Sequence, residues 1–394
     1  MSYQPRTPFR RLIAVASIAV ALATGATTAS ALDYTTSAKQ AILLDFDTGS
    51  VLYAKNADEI MFPASMTKIM TAMLAFERLR DGSLSMDDEL PVSEEAWRKG
   101  GSKMFVHVGE KVKVGELLHG IIVQSGNDAS IVVAEGLAGS ETAFADRMTE
   151  RARAIGMTHT TFRNSTGWPD PEHVTTAHDM AILAHYVIAN FPELYKIYEV
   201  KEYTYGKSLD GKDITQSNRN PLLYRMPGAD GLKTGHTEAS GYGLTASAKR
   251  GDRRLVMVIN GLDSVQARAE ESQRLLEWGF REFDNVRLFA AGETVTNADV
   301  WLGDTPTVPL VIKDEVAITI PRTAKRDMKV TVAYDAPLPA PLAAGTPVAT
   351  LRIEGSGMEP ITRPLVTGSE VGRLAFFGRI SSAIGYLVWG AAGG

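Results

Sequence analysis

Apolar residues recur three and four apart through Ile69, Met70, Met73, Leu74 and Phe76, and the same spacing returns in later stretches of the chain. That period puts apolar side chains on one face of an α-helix, so helices are expected over 65–80, 114–124, 127–138, 141–155, 178–189 and 267–281. Shorter apolar runs carry the strand signal. Residues 39–45 and 51–54 flank Asp47-Thr48-Gly49-Ser50 and read as a hairpin turning at Gly49, while 242–249 and 254–262 read as further strands. The mixture predicts an α+β region from about Asp33 to Asp284.

After about Val286 the pattern changes. Val308-Pro309-Leu310-Val311-Ile312, Val316-Ala317-Ile318-Thr319-Ile320 and Lys329-Val330-Thr331-Val332-Ala333-Tyr334 are split by Pro and Gly turns, and no helical period survives before Gly368. A small all-β domain is expected, with Pro337-Leu338-Pro339-Ala340-Pro341 as a rigid connection. On a helical wheel from Glu370, Phe376, Phe377, Ile380, Ala383, Ile384, Leu387 and Val388 share one broad arc, with Arg379, Ser382 and Tyr386 opposite. With Trp389 near its end, this amphipathic helix suits a membrane interface; a helix docked on protein is the other reading. Arg379 disfavours spanning, because a mid-bilayer arginine costs about 3 kcal/mol on insertion scales.

The opposite end differs again. Arg6, Arg10 and Arg11 precede the apolar run 12–22, and Ala29-Ser30-Ala31 supplies small residues before Leu32, the pattern of a secretory signal peptide. The run is shorter than the ~20 residues an uncleaved spanning anchor needs. The expected divisions are therefore 1–31, 32–285, 286–367 and 368–394.

Composition narrows the chemistry. The 394 residues are 44% hydrophobic and 22% charged, the balance of a folded globular chain, and a net charge of −5 offers no positive field for nucleic acid. Cysteine is absent. Disulfides, thiolate nucleophiles and cysteine metal sites are excluded, so any nucleophile is oxygen or amine. His173, His178 and His185 lack an H-E-x-x-H companion and no G-x-S-x-G elbow occurs, so no metal, cofactor or Ser-His-Asp triad is indicated.

Three short segments hold the remaining chemistry. Pro63-Ala64-Ser65-Met66-Thr67-Lys68 opens the first apolar helix. Ser65 and Lys68 are either a helix cap with a solvated first-turn lysine, or a nucleophile with its base. At a helix start the Ser65 N–H can serve an oxyanion, and Lys68 shares the helix face, so its amine can reach the hydroxyl. Burial or a second cation nearby would keep that amine partly neutral. Alone, S-x-x-K arises by chance about once in a chain of this size. Gln124-Ser125-Gly126-Asn127-Asp128 adds an S-x-N at a break between helices, and Gly231-Leu232-Lys233-Thr234-Gly235-His236-Thr237 adds a K-T-G entering a strand pair. The three occur in the order that serine acyl-transfer enzymes use.

With these motifs, and with Asp230, Gly241-Tyr242 and Leu275-Leu276-Glu277-Trp278-Gly279-Phe280, the chain from Ala41 to Trp389 resembles the low-molecular-mass penicillin-binding proteins, specifically D-alanyl-D-alanine carboxypeptidases. The resemblance implies a penicillin-binding/β-lactamase-like domain, with a helical subdomain and an antiparallel sheet covered by helices, then the β domain and tail. It implies that the penultimate D-Ala carbonyl acylates Ser65, that the terminal D-Ala leaves, and that water releases the trimmed stem peptide. Lys68 would take the Ser65 proton, Ser125 and Lys233 would relay a proton to the leaving amine, and Asn127 would hold the substrate amide and the Lys68 amine. Gly235 would admit the substrate backbone close to its strand, and the His236 N–H would join that of Ser65 at the oxyanion. Thr234 and Arg268 would read the terminal carboxylate; otherwise Arg268 is a surface ion-pair partner of Glu271 or Glu282. Peptidoglycan stem peptide as substrate, β-lactam antibiotics as inhibitors, a membrane surface as partner of the C-terminal helix, and a place on the periplasmic face of the inner membrane are implied with it.

Competing functions differ at identifiable residues. A class A β-lactamase needs a deacylating Glu, and none with a matching Asn stands out between Ser125 and Lys233. An endopeptidase on cross-links uses the same apparatus, although Arg268 favours a free carboxylate. A noncatalytic wall-binding protein would not need Ser65, Lys68, Ser125, Asn127 and Lys233 intact.

Overall fold

The computed structural model describes residues 34–208 and 210–375. The expected signal peptide and the apolar arc of the expected tail lie outside these residues. Along the chain come β1 (Gln40–Asp45), β2 (Val51–Lys55), α1 (Lys68–Arg80), α2 (Val114–Ile122), α3 (Asn127–Ala138), α4 (Glu141–Ala154), α5 (Ala177–Asn190), β3 (Ala229–Thr237), β4 (Gly241–Arg250), β5 (Arg253–Leu262) and α6 (Val265–Glu282). The expected helices and strands fall on these elements with ends shifted by a few residues.

The strands form one antiparallel sheet in the order β2-β1-β5-β4-β3. Its central strand β5 carries the run Leu255-Val256-Met257-Val258-Ile259, buried throughout. Because side chains alternate across a strand, Val256 and Val258 join the core of the helical subdomain, and Leu255, Met257 and Ile259 join a second core under α6. An all-apolar run is what two buried faces require. Helix α1 is buried nearly all round, with Ile69, Met70, Ala72, Met73, Ala75 and Phe76 inaccessible to solvent. Its first turn therefore starts inside the molecule, next to β3 at the edge of the sheet.

Short elements escape the periodicity. The helix Glu94–Arg98, the paired strands Glu89–Pro91 and Lys111–Lys113, and the hairpin Glu202–Lys207 with Asp213–Ser217 are too brief or too polar to show a repeat.

Beyond α6, Phe283–Phe289 pairs with Val316–Pro321, and a six-stranded sheet runs in the order Lys329–Ala333, Pro347–Glu354, Ile361–Thr367, Thr307–Ile312, Thr294–Trp301 and Leu338–Pro339. A separate core of Val308, Leu310, Ile318, Ile320, Leu351, Ile353 and Leu365 holds it together. The proline-rich segment is more than a connection. Leu338 and Pro339 pair in parallel with Val300 and Trp301, and Leu338 is buried.

A polar knot joins this β region to the first sheet. Asp45, wholly buried at the end of β1, accepts from Arg253 Nε at 2.8 Å and from Asn285 Nδ2 at 2.9 Å. Arg253 also donates to the Phe283 carbonyl at 2.6 Å, and Asn285 Oδ1 accepts from Thr319 at 2.8 Å. One buried carboxylate thus anchors groups on both sides of the junction.

Candidate active site

Ser65 does not cap α1. It lies in a single 3₁₀ turn, Ala64–Thr67, ahead of the helix, whose N-cap Thr67 makes no side-chain cap bond. A 3₁₀ turn eclipses residues three apart, which stacks the Ser65 and Lys68 side chains and accounts for the S-x-x-K spacing. Ala64 takes the left-handed conformation at φ 46°, a strain of about 1–2 kcal/mol for an L-residue, and Ser125 does the same at φ 61°. Strained backbone at Ser125 and at the residue before Ser65 marks a site held by its surroundings.

Lys68 is the hub. Its Nζ lies 3.1 Å from Ser65 Oγ, 2.8 Å from Asn127 Oδ1 and 2.6 Å from the carbonyl oxygen of Thr166. The two carbonyl oxygens can only accept, so in the neutral amine both N–H groups go to them and the lone pair is left for the Ser65 hydroxyl. Burial first, then the charge of Arg219, pushes the Lys68 amine down to about 7, against weaker opposing pulls from Asp128 and Glu141. Near neutral pH roughly half of the molecules then carry the free base.

Asn127 stands at the first turn of α3, and its amide is oriented from both ends. Its Nδ2 donates to the Gly100 carbonyl at 2.8 Å, which leaves the second N–H of that group for a ligand. Asp128 beside it accepts from the backbone N–H groups of Met104, Phe105 and Val106, tying the 100–106 loop to the helix start.

The expected relay between Ser125 and Lys233 is not formed by a hydrogen bond. Lys233 Nζ donates to the Thr234 carbonyl at 3.1 Å, while Ser125 Oγ, buried, has no partner among the described residues. The desolvated amine takes the nearest carbonyl of its own strand. Burial, then the charges of Lys68, Arg219 and Arg268, hold Lys233 well below the ordinary lysine value. The Lys68 charge thus helps to keep Lys233 neutral.

Gly235 has a reason to be glycine within the protein itself. A Cβ there would come within 2.7 Å of the Pro63 carbonyl oxygen and 3.2 Å of Ala64 Cβ, so its bareness lets β3 lie against the nucleophile turn. Thr234 is buried beside it, and the exposed His236 stacks on Tyr242 with ring centres 3.8 Å apart.

Arg268, on α6, makes neither of the ion pairs that the surface reading required. Glu271 pairs with Arg274 and Glu282 with Arg281. Arg268 is instead buried, making a long 3.5 Å contact to the Arg219 carbonyl, and its Nε has no partner among the described residues. Burial lowers it to about 10, with Arg219 adding to the effect. Arg219 and Arg268, beside the two lysines, make a cationic field suited to an anionic ligand end.

Several participants were not among the expected residues. Thr166 contributes only a carbonyl, which carries no side-chain signature. Arg219 donates to Ser102 at 2.6 Å and acts on its neighbours through charge alone. Asn164 Oδ1 accepts from the N–H groups of Thr166, Gly167 and Trp168 and so shapes the turn that aims the Thr166 carbonyl at Lys68. An Asn three residues before a Gly is the one signal that could have marked this turn. The three histidines weighed as metal ligands make structural contacts instead: His173 with Thr67, His178 with Asp58, and His185 with the Phe46 carbonyl.

Residues 25–264 match the family model described as D-alanyl-D-alanine carboxypeptidase, and residues 283–373 match the C-terminal domain of penicillin-binding protein 5. The chain belongs to the D-alanyl-D-alanine carboxypeptidase family. D-alanyl-D-alanine carboxypeptidase DacC of Escherichia coli K12 is 39% identical over 347 residues, spanning 86% of this chain and 85% of the relative. DacF of Bacillus subtilis is 33% identical over 354 residues, 88% of this chain and 89% of the relative. Among solved structures, the carboxypeptidase DacD of Francisella tularensis superposes with a TM-score of 0.79 at 33% identity, covering 87% of this chain and 95% of that one. Penicillin-binding protein 5 of Haemophilus influenzae gives 0.77 at 34% identity, covering 86% and 99%. The α+β family fold, with its trailing β domain, agrees with the architecture expected from the sequence.

Proposed function

We propose that this carboxypeptidase removes the terminal D-Ala of peptidoglycan stem peptides through an acyl-enzyme at Ser65. One observation carries the reading: the buried Lys68 amine has two N–H groups claimed by carbonyl oxygens and its remaining position on the Ser65 hydroxyl. As Ser65 Oγ attacks the penultimate D-Ala carbonyl, its proton passes to Lys68 Nζ, and the backbone N–H groups of Ser65 and His236 receive the oxyanion. Removing one such donor costs about 3 kcal/mol of transition-state stabilisation in comparable sites. As the C–N bond breaks, the proton taken up by Lys68 passes by way of Ser125 and Lys233 to the leaving amine, and water then hydrolyses the ester to restore Ser65. The free carboxylate of the leaving D-Ala lies toward Thr234 and Arg268, whose unpartnered Nε supplies a donor.

β-Lactams would react at the same hydroxyl, since the strained amide imitates the acyl-D-Ala-D-Ala bond. The test is intact-protein mass spectrometry with a labelled penicillin and, separately, with a stem pentapeptide. One adduct at Ser65, absent in Ser65→Ala, and release of one alanine are expected; label retained by Ser65→Ala refutes the assignment.

The same reading divides the chain into a signal peptide at 1–31, a catalytic domain at 32–285, a β domain at 286–367 and a membrane-associating segment at 368–394. It puts the protein at the periplasmic face of the inner membrane. The support is the sequence pattern at the two ends. Among the described residues no helix is long and apolar enough to cross a membrane.

A further inference from the structure

A cavity of about 200 Å³ opens beside the nucleophile turn, between that turn, the 167–171 loop and the far end of β3. It shares its walls with the site. Ala64 precedes Ser65, Gly167 follows the Thr166 that holds Lys68, and Thr237 follows His236. Aromatic and proline side chains of Phe62, Pro63, Trp168, Pro169 and Pro171 form the rest of the lining, with the half-buried Asp170 among them. Trp168 is exposed yet held in place: its backbone N–H is fixed by Asn164, and the Lys99 ammonium sits 4.9 Å from its ring centre.

The charges sort the two directions out of the site. Arg219 and Arg268 attract the free carboxylate, so the acyl part of the substrate leads away from them. That leaves the apolar cavity at Thr237. His173 reaches it as an uncharged ring: the Arg163 N–H donates to Nδ1, so the proton sits on Nε2 toward Thr67, and burial pushes the group down to about 4. Arg163 and Glu172 pair with each other at 3.1 Å. The Asp170 carboxylate makes only a hydrogen bond from the Glu172 N–H among those resolved and has no ion-pair partner among the described residues, so it is the charge with capacity left for a ligand.

We infer that this cavity is a specificity subsite for the residue preceding D-Ala-D-Ala, taking an aliphatic side chain along Trp168 and Phe62 and its terminal ammonium on Asp170. The assignment rests on the carboxypeptidase reading above. Methylenes lose water against the aromatic and proline walls, and the ammonium meets a partly desolvated carboxylate, where an ion pair counts for more than on the open surface.

The test compares kcat/KM for D-Ala release from acylated X-D-Ala-D-Ala peptides in which X is lysine or norleucine, side chains of similar length that differ in charge. The wild type is expected to favour lysine about tenfold, the worth of about 1.4 kcal/mol. Asp170→Asn, which keeps the shape and is checked for folding by its melting curve, is expected to bring the two peptides within about twofold. Trp168→Ala should lower kcat/KM for both, chiefly through KM. Equal use of the two peptides by the wild type, or a preference that survives Asp170→Asn, overturns the subsite. Labelled penicillin on the wild type separates the two levels: without an adduct at Ser65 the catalytic reading falls, whereas an adduct without lysine preference removes the subsite alone.

Discussion

Lys68 Nζ stands 2.8 Å from Asn127 Oδ1, and this contact between residues of two different motifs sets the direction of the amine. A neutral carbonyl there accepts an N–H without favouring the ammonium as a carboxylate would. Asn127→Asp is therefore expected to stabilise the charged lysine and shift the acylation pH profile upward by at least about one unit, lowering the rate at pH 7 about tenfold. Stopped-flow measurement of penicillin acylation against pH checks this. An unchanged profile would mean that Asn127 acts elsewhere.

Arg268 is buried without an acid partner among the described residues, and the proposed function assigns it to the substrate carboxylate. Arg268→Gln is expected to cost about 2–3 kcal/mol on a peptide ending in a free carboxylate, a loss of roughly a hundredfold in kcat/KM. A peptide ending in an amide should lose little. Equal losses on both peptides would assign Arg268 to the fold.

At Gly167 (φ 80°) an added Cβ would fall 1.8 Å from the Ala64 carbonyl oxygen. The turn on one side aims the Thr166 carbonyl, and the strained residue on the other precedes the nucleophile. Gly167→Ala is expected to destabilise the protein by at least about 3 kcal/mol and to reduce acylation in the surviving folded fraction. Calorimetry and adduct counting read the two effects separately.

Asp45 and Arg253 hold the junction below the first sheet. Breaking a buried pair by removing one member typically costs about 3–5 kcal/mol, because the remaining charge stays desolvated. Arg253→Met should therefore lower the melting temperature substantially, and adding Asp45→Asn should recover part of the loss. A double variant as unstable as the sum of the single ones would show that the residues act independently.

Much of this arrangement is legible in the sequence, for physical reasons that also mark where legibility ends. The helix from Lys68 and the strand from Arg253 announce themselves because burying a helix or a two-faced strand demands long apolar runs. Ser65, Lys68, Ser125, Asn127 and Lys233 stand out because their chemistry lives in side chains at fixed spacing. Thr166 is silent, since any residue supplies a carbonyl. Arg219 is silent as well, because a charge acting through space needs no spacing. Gly235 has a further reason to be glycine that the sequence does not show: its close neighbours are the Pro63 carbonyl oxygen and the Ala64 methyl group.

The most direct test of the central claim is the rate of Ser65 acylation by labelled penicillin as a function of pH. A base works only when deprotonated, so with Lys68 pushed down to about 7 the rate should rise as pH increases through that value and level off above it. Lys68→Arg, charged at every accessible pH, should react about 10²–10⁴ times more slowly and show no such rise. A rate that climbs only near the ordinary lysine value, or that survives Lys68→Arg, would contradict the account.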